Sequence, residues 1–390
     1  MQNPAKKLFE ISEKTSRVIL GLMSGTSLDG LDLALCNISG TGFDTSLTIQ
    51  EFETRAYDES FAFRLSGIFA KEYISQKELT LMHRDIGKCH GAMVNDFLKK
   101  FNIRNAEVDL IASHGQTVFH IPGSKNEKAA TLQLGDADEI AAHTGLITLS
   151  DFRQKHIAGG GEGAPLVPYG DLLLFRSQQK SRVLINIGGI ANLSFIPSGQ
   201  NHILFTDTGP GNTLIDAVVR KELGVPFDAQ GDMARSGMLS EPLLNALQEE
   251  PFFQLPIPKS TGPELFNLRW LENILTKKAI TPSPKDLIHT LTVFTAKSIA
   301  KAIAGLKNFS GEPEIFISGG GIHNRFLTQL LSRELGGIQI RSTQELGINP
   351  DAKEAALFAL LANECVAGEP EVFEGTGLLP VRMGKISFPN

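Results

Sequence analysis

VILGLMSGTSLDGLDLALCNI, Val18–Ile38, is the stretch that decides the fold. Val18–Met23 is an apolar run of strand length, Ser24–Gly30 is a turn rich in Ser, Gly, Thr and Asp, and Leu31–Ile38 is a second apolar run. Two β-rich runs separated by a short glycine-bearing turn read as a hairpin. A third strand over Leu47–Ala56 makes an antiparallel start, and residues 1–16 ahead of it read as a helical or frayed leader.

Working outward, residues 60–102 carry apolar positions at three- and four-residue spacing and predict helix. Val108–Ile111 predicts a short buried strand ending in Ser113-His114-Gly115-Gln116-Thr117, and Thr131–Leu134 another. Asp136–Thr144 predicts a helix with acids in its first turn. Leu146–Ser150 is a strand entering a glycine-rich loop, Ala158–Pro165. The pattern then restarts: a strand at Arg182–Ile187, a turn at Gly188-Gly189 and a return from Asn192 to Ile196. This repeats the plan of residues 18–38 in pattern, not in residues. Ile203–Asp207 is a further strand, with a helix from about Thr213. Residues 284–307 form a long amphipathic helix, Glu314–Ile317 a buried strand, 322–334 a helix, Ile338–Arg341 a strand and Asp351–Val366 a helix. Hairpins followed by β–loop–α units predict a two-lobed α/β architecture.

The chain has 390 residues, enough for two domains at roughly 150 residues each. It is 42% hydrophobic and 21% charged, which excludes global disorder. With 37 basic and 43 acidic residues the formal charge is −6, so neither a nucleic acid nor an anionic membrane surface is the expected partner. Cys36, Cys89 and Cys365 follow no CxxC spacing and suggest a reducing cytoplasm. The first residues lack the apolar core of a signal peptide, and no run of about 18 apolar residues spans a membrane.

Ser24–Gly30, Gly188–Asn192 and Gly319–Asn324 are glycine turns that directly follow apolar strands. Glycine admits close backbone approach, and successive amides there can cradle an anion. Any one such turn also has a plain reading, that the chain needs glycine to turn. Three together point to a phosphate clamp. No GxxxxGK[ST] is present, and no GxGxxG opens a helix within a βαβ unit, so the P-loop and dinucleotide folds are excluded.

Gly21–Asp32, GLMSGTSLDGLD, resembles the N-terminal signature of the 1,6-anhydro-N-acetylmuramic acid kinase family. The resemblance continues in order through SHGQT (Ser113–Thr117), DFR (Asp151–Arg153), GAPLVP (Gly163–Pro168), NIGGIAN (Asn186–Asn192) and DTGPGN (Asp207–Asn212). KSTG followed by FN (Lys259–Asn267) and GGG with a later Asn (Gly319–Asn324) complete it, so it covers nearly everything after residue 17. It implies a two-lobed actin-like ATPase fold, ribonuclease H-like, of the hexokinase–Hsp70–actin group, with ATP and substrate in the interdomain cleft. The expected lobes are 1–148 with 370–390, and 149–369. The family is bacterial, cytoplasmic and usually homodimeric.

By the same resemblance, ATP is met by Ser24, Gly25, Thr26, Ser27, Leu28, Asp29, Gly30 and Leu31 in a first phosphate turn. Gly188, Gly189 and Asn192 belong to a second, and Gly319, Gly320, Gly321 and Asn324 lie near the adenosine. Asp29 is the Mg²⁺ candidate, through water. Asp29-Gly30 is equally a favoured hairpin pair. The implied reaction opens the 1,6-anhydro ring of 1,6-anhydro-N-acetylmuramic acid with water and phosphorylates the freed O6. Neutral water is a poor nucleophile, so a carboxylate must take its proton. Asp207, at a strand end before Gly209-Pro210-Gly211, aligns with the family's base; the plain reading is an Asx turn. Asn186, an amide at the second turn, is unfit for that task.

Thr117, Arg153 and Glu354 are the implied sugar binders. Arg153 is suited to the lactyl carboxylate, or else to a structural salt bridge, and Glu354 is also an ordinary first-turn helix acid. His114 reads as a structural histidine. Three positions depart from the family pattern and bear on substrate identity: Gln154 replaces a common Arg, His156 an Asp and Glu162 a Gln. The alternatives are another small-molecule or sugar kinase of this fold, an Hsp70-like non-kinase ATPase, and a metal-binding relative of the tRNA-modifying ATPases. The last needs a histidine metal pair that the sequence lacks.

Overall fold

A computed structural model describes residues 3–25, 28–123, 127–306 and 312–390. The chain forms two compact units, Met1–Leu174 with Ala352–Asn390, and Phe175–Asp351. The first unit begins with α1 (Pro4–Ser12), then β1 (Ser16–Ser24), β2 (Gly30–Ser39) and β3 (Ser46–Ala56). Helices α2 (Glu59–Ile68) and α3 (Gln76–Lys100) follow, then β4 (Leu110–Ile121), β5 (Ala130–Leu134), α4 (Ala137–Thr144), β6 (Thr148–Ser150), α5 (Phe152–Ala158) and α6 (Val167–Phe175). The second unit contains β7 (Arg182–Ile187), β8 (Ile190–Ile196), β9 (Leu204–Pro210), α7 (Thr213–Leu223), α8 (Asp232–Arg235) and α9 (Glu241–Gln248). It continues through α10 (Leu268–Lys277), α11 (Pro284–Ala304), β10 (Glu314–Ser318), α12 (Arg325–Glu334) and β11 (Ile340–Ser342). The chain returns to the first unit with α13 (Lys353–Ala367) and β12 (Lys385–Ser387).

The two sheets share one plan. In the first, β1, β2 and β3 form an antiparallel meander, β4 lies parallel to β1 on its other side, and β6 lies parallel to β4. In the second, β7, β8 and β9 form the meander, β10 lies parallel to β7, and β11 parallel to β10. β5 and β12 add antiparallel strands to the first sheet alone. The pattern repeat between residues 18–38 and 182–196 is therefore a repeat of sheet topology. Two such sheets, each flanked by helices, make the expected ribonuclease H-like α/β class.

Packing decides where the units divide. The expected breaks at 148/149 and 369/370 move to 174/175 and 351/352. Phe152, Leu166, Tyr169 and Leu173 share one buried cluster with Ala355–Leu361 and with Ile19, Ala34, Leu110 and Leu149 of the first sheet. The middle of helix α13, residues 355–362, is apolar all round, as a segment buried on every side must be. It crosses β1 so closely that a Cβ at Gly21 would lie 1.9 Å from the Ala355 carbonyl oxygen. In the second unit α11 plays the same part, capped by Ser283, whose Oγ accepts from Asp286 N–H, and buried along most of its length.

Three local expectations change. The helical run 60–102 is two helices, broken between residues 68 and 76. SHGQT lies inside β4 instead of beyond its end, because β4 bulges: Leu22 pairs with Ser113 but Ser24 with Gln116, and Gly115 takes φ +73. The loop after β6 begins only after a seven-residue helix, α5. Among the described residues no helix is long and apolar enough to cross a membrane.

Lys353 at the start of α13 lies 2.7 Å from Asp171 Oδ1 on α6, an ion pair. Both side chains are buried. Removing one partner of a buried pair leaves an uncompensated charge. Asp171→Ala is expected to cost about 3–5 kcal/mol in urea denaturation, and Asp171→Leu with Lys353→Met is expected to recover most of it.

Candidate functional site

The first turn is fixed from behind. Ser24 is buried at the end of β1, with Oγ 2.8 Å from Tyr57 Oη, 2.5 Å from Gln116 Oε1 and 3.1 Å from the Gly30 carbonyl. Gln116 Nε2 donates to the Gly25 carbonyl at 3.0 Å, and Tyr57 Oη lies 2.7 Å from His90 Nε2. Burial pushes the Tyr57 phenol up and His90 down to about 4, so the network is uncharged at neutral pH. The Ser24 hydroxyl is thus a structural pin, engaged by the fold itself. Leu31 likewise faces the core. Leu28 holds φ +60, an unusual conformation for a leucine and one that marks a constrained turn. Asp29 is exposed, and its carbonyl accepts from Tyr57 N–H at 2.9 Å. Thr26 and Ser27 lie outside the described residues.

A second polar cluster of the same unit gathers around Arg153. Its Nε donates to His114 Nε2 at 2.8 Å, and its Nη1 to the Gly163 carbonyl at 3.0 Å. His114 must then carry its proton on Nδ1, which donates to the Gly115 carbonyl at 2.9 Å. Burial and the Arg153 charge hold His114 well below the usual imidazole range, so it stays neutral. Burial lowers Arg153 to about 10, opposed by Glu354, and it remains a cation at neutral pH. Arg153, Glu354 and His114 are therefore brought together. Thr117 Oγ1 accepts from Gln133 Nε2 at 3.1 Å, a partner that the sequence reading passed over.

The three departures have structural explanations in two cases. His156 is buried, accepts Gly163 N–H at Nδ1 (3.0 Å) and bonds Tyr169 Oη through Nε2 (3.0 Å). Tyr169 Oη in turn bonds both the carbonyl and the amide of Leu379. Glu162 Oε2 accepts from Gly123 N–H at 2.8 Å. Nothing in the structure explains Gln154, whose Oε1 is buried without a partner.

In the second unit the turn Gly188-Gly189 is fastened by α7. Amides of Gly211 and Thr213 donate to the Gly189 carbonyl (2.8 and 3.1 Å), and that of Asn212 to Gly188 (2.9 Å). These amides are used, so an anion here must be met by the turn itself. Gly319 leaves β10 at φ +79, where a Cβ would lie 2.5 Å from Asn186 Oδ1. Asn324 is buried and caps α12, its Oδ1 accepting from Leu327 N–H at 2.9 Å. That carbonyl oxygen is accordingly engaged.

The strand register aligns the chemistry. Ser318 pairs with Asn186, Asn186 with Asn192, and Asn192 with Asp207, one polar row across β10, β7, β8 and β9. Residues directly paired across a sheet share a face. Asp207 accepts Thr261 N–H at Oδ2 (2.9 Å) and donates its own N–H to the Lys259 carbonyl (2.9 Å). Its carboxylate is tied to a distant segment and not to its own turn, so the Asx-turn reading falls. Burial pushes Asp207 up to about 6; the Thr261 bond opposes this and Glu264 adds to it. A carboxylate in this range is a better proton acceptor than an ordinary one. Among the described residues no three His, Cys, Asp or Glu side chains gather as a metal site.

A family model described as anhydro-N-acetylmuramic acid kinase matches residues 17–387. A protein of that description from Pseudoalteromonas atlantica is 45% identical over 401 residues, covering 100% of both chains. Another, from Pseudoalteromonas translucida, is 44% identical over 396 residues and covers 98% of each. A third, from Caldanaerobacter subterraneus, is 36% identical over 394 residues, covering 98% of this chain and 100% of its own.

Two measurements follow from this geometry. If Asp207 must be ionised for turnover, kcat falls as pH drops through about 6, and no acid limb appears near 4. Replacing His156 with Ala strands the Gly163 amide and Tyr169. It is expected to cost about 1–3 kcal/mol in urea denaturation while the reaction product stays the same.

Proposed function

This chain belongs to the anhydro-N-acetylmuramic acid kinase family, and from that premise we propose how its residues divide the work. The reaction is ATP-dependent: water opens the 1,6-anhydro ring of the sugar, and O6 receives the γ-phosphoryl group. Water attacks the anomeric carbon, the C1–O6 bond breaks, and O6 attacks the γ-phosphorus as ADP leaves. Phosphoryl transfer captures O6, so no separate acid is required there.

Asp207 takes the proton of the water. The observation that carries this is its place: a buried carboxylate at the end of the polar row, one oxygen held by Thr261 N–H, with an affinity for protons raised to about 6. At neutral pH it is ionised before the reaction and returns its proton to solvent afterwards. Arg153 meets the lactyl carboxylate. Two of its donors are engaged by His114 and Gly163, which orients the guanidinium and leaves Nη2 and the second Nη1 proton for the ligand. Glu354 and Thr117 complete the sugar contacts.

The turns at 24–31 and 188–189 receive the phosphates through backbone amides, Asn192 stands beside the second of them, and Gly319–Gly321 with Asn324 borders the adenosine. Asp29 would hold Mg²⁺ through water. A single exposed carboxylate suits an ion that keeps most of its waters and takes phosphate oxygens. When bound, the ion neutralises phosphate charge. The protein acts as a cytoplasmic homodimer, a state that light scattering measures. His156 bonds inward to the fold, which supports the family substrate over a drifted one.

The test uses Mg-ATP and 1,6-anhydro-N-acetylmuramic acid, with ADP release and product mass as readouts. A product heavier by water plus the phosphoryl group is expected. Asp207→Asn should bind both substrates and lose about 10²–10⁴-fold in kcat. It should also gain stability. The folded pKa of about 6 exceeds the usual 3.8, so stability falls as pH rises from about 4 to about 6. The amide escapes that loss, and Tm should rise at pH 7.5 but not at pH 4. Near-normal turnover in Asp207→Asn removes this residue from the mechanism.

A further inference from the structure

The carboxylate of Asp207 is held by a segment far away in sequence, and that segment is itself held. Lys259 N–H donates to Thr206 Oγ1 at 3.0 Å, and Thr206 Oγ1 lies 3.3 Å from the Lys259 carbonyl. The same carbonyl accepts Asp207 N–H at 2.9 Å. Two residues on, Thr261 N–H reaches Asp207 Oδ2. Residues 259–261 thus run along the edge of β9 and close on the carboxylate. The same residue is anchored a second time by its side chain. Its Nζ donates to the Phe252 carbonyl at 2.9 Å and lies 4.3 Å from the Phe252 ring centroid and 5.7 Å from that of Phe253. Phe252 and Phe253 are buried in a cluster of aromatic rings with Phe266 and Phe294. Thr206 is fully buried; its hydroxyl accepts Lys259 N–H, and its one proton is shared between the carbonyls of Asp207 (3.1 Å) and Lys259 (3.3 Å). The Thr261 hydroxyl is buried without a partner, so that residue contributes through its backbone.

We infer that Thr206 and Lys259 are positioning residues for proton abstraction: they clamp segment 259–261 to β9, so that Thr261 N–H fixes one oxygen of Asp207 and presents the other to the attacking water. This rests on the reading of Asp207 as the base. The charged groups that act on Asp207 and the clamp are Glu264, which raises the carboxyl, and Lys301, which with burial lowers the Lys259 ammonium. Losing the clamp frees the Thr261 bond. A carboxylate that loses a donor to its charged form is protonated at higher pH.

The experiment records kcat, both KM values, the pH–rate profile and Tm for wild type, Thr206→Val, Thr206→Ser, Lys259→Met and Asp207→Asn. Thr206→Val and Lys259→Met should lose about tenfold in kcat at neutral pH, with the acid limb moved up by roughly one pH unit and the KM for ATP unchanged. Thr206→Ser keeps the hydroxyl and should restore both. A merely structural role lowers Tm and leaves the acid limb where it was; that result overturns the proposal. If Thr206→Val does not fold, Lys259→Met decides alone, since it keeps the aliphatic stem against the rings. Full turnover in Asp207→Asn refutes the base assignment. An inactive Asp207→Asn with unshifted limbs in the clamp variants refutes the clamp alone.

Discussion

Helix α13 lies on β1 with no room for a β-carbon at residue 21, and much of the first unit follows from that contact. A helix segment that close must be apolar on every face, and residues 355–362 of α13 are. Its first turn then becomes the place where polar groups can emerge. Lys353 turns to Asp171 on α6, while its neighbour Glu354 stands within electrostatic reach of Arg153. The packing that closes the core therefore also sets the distance between the two charges expected to meet the sugar. A residue larger than glycine at 21 would displace the helix, and the displacement would reach Glu354 before it reached any surface loop.

The two units solve the problem of a strand that must end in a ligand turn in different ways. In the first, side chains do it: Ser24, Gln116, Tyr57 and His90 form a buried uncharged network behind the turn. In the second, backbone does it: the amides of Gly211, Asn212 and Thr213, at the entry to α7, bond the carbonyls of Gly188 and Gly189. Both hold the strand end in place from behind the turn.

Strands β1, β7 and β10 were legible because each is an apolar run followed at once by a glycine turn, and the repeat of the hairpin was visible in the same marks. SHGQT was misplaced because a bulge inside a buried strand has the composition of a loop. Asp207 was legible from its motif, but its clamp was not. KSTG shows no local sign of what Lys259 and Thr261 touch, since the partners Thr206 and Asp207 are distant in sequence and meet only through β-edge pairing. The unit boundaries failed for a related reason: α5, α6 and α13 join the first sheet through shared apolar burial, which no composition shift announces.

His156 shows how a departure from a family pattern can be absorbed. Its two nitrogens have fixed roles, Nδ1 accepting and Nε2 donating, so the ring is held as one neutral tautomer. Protonation would place a second N–H against the Gly163 amide, and burial with the nearby Arg153 charge opposes it. The Gly163 carbonyl orients Arg153. A carboxylate in place of His156 could also accept the Gly163 amide, but it could not donate to Tyr169, whose own proton already goes to Leu379. The histidine therefore serves the same loop with a different hydrogen-bond order, and it is linked to Arg153 through Gly163.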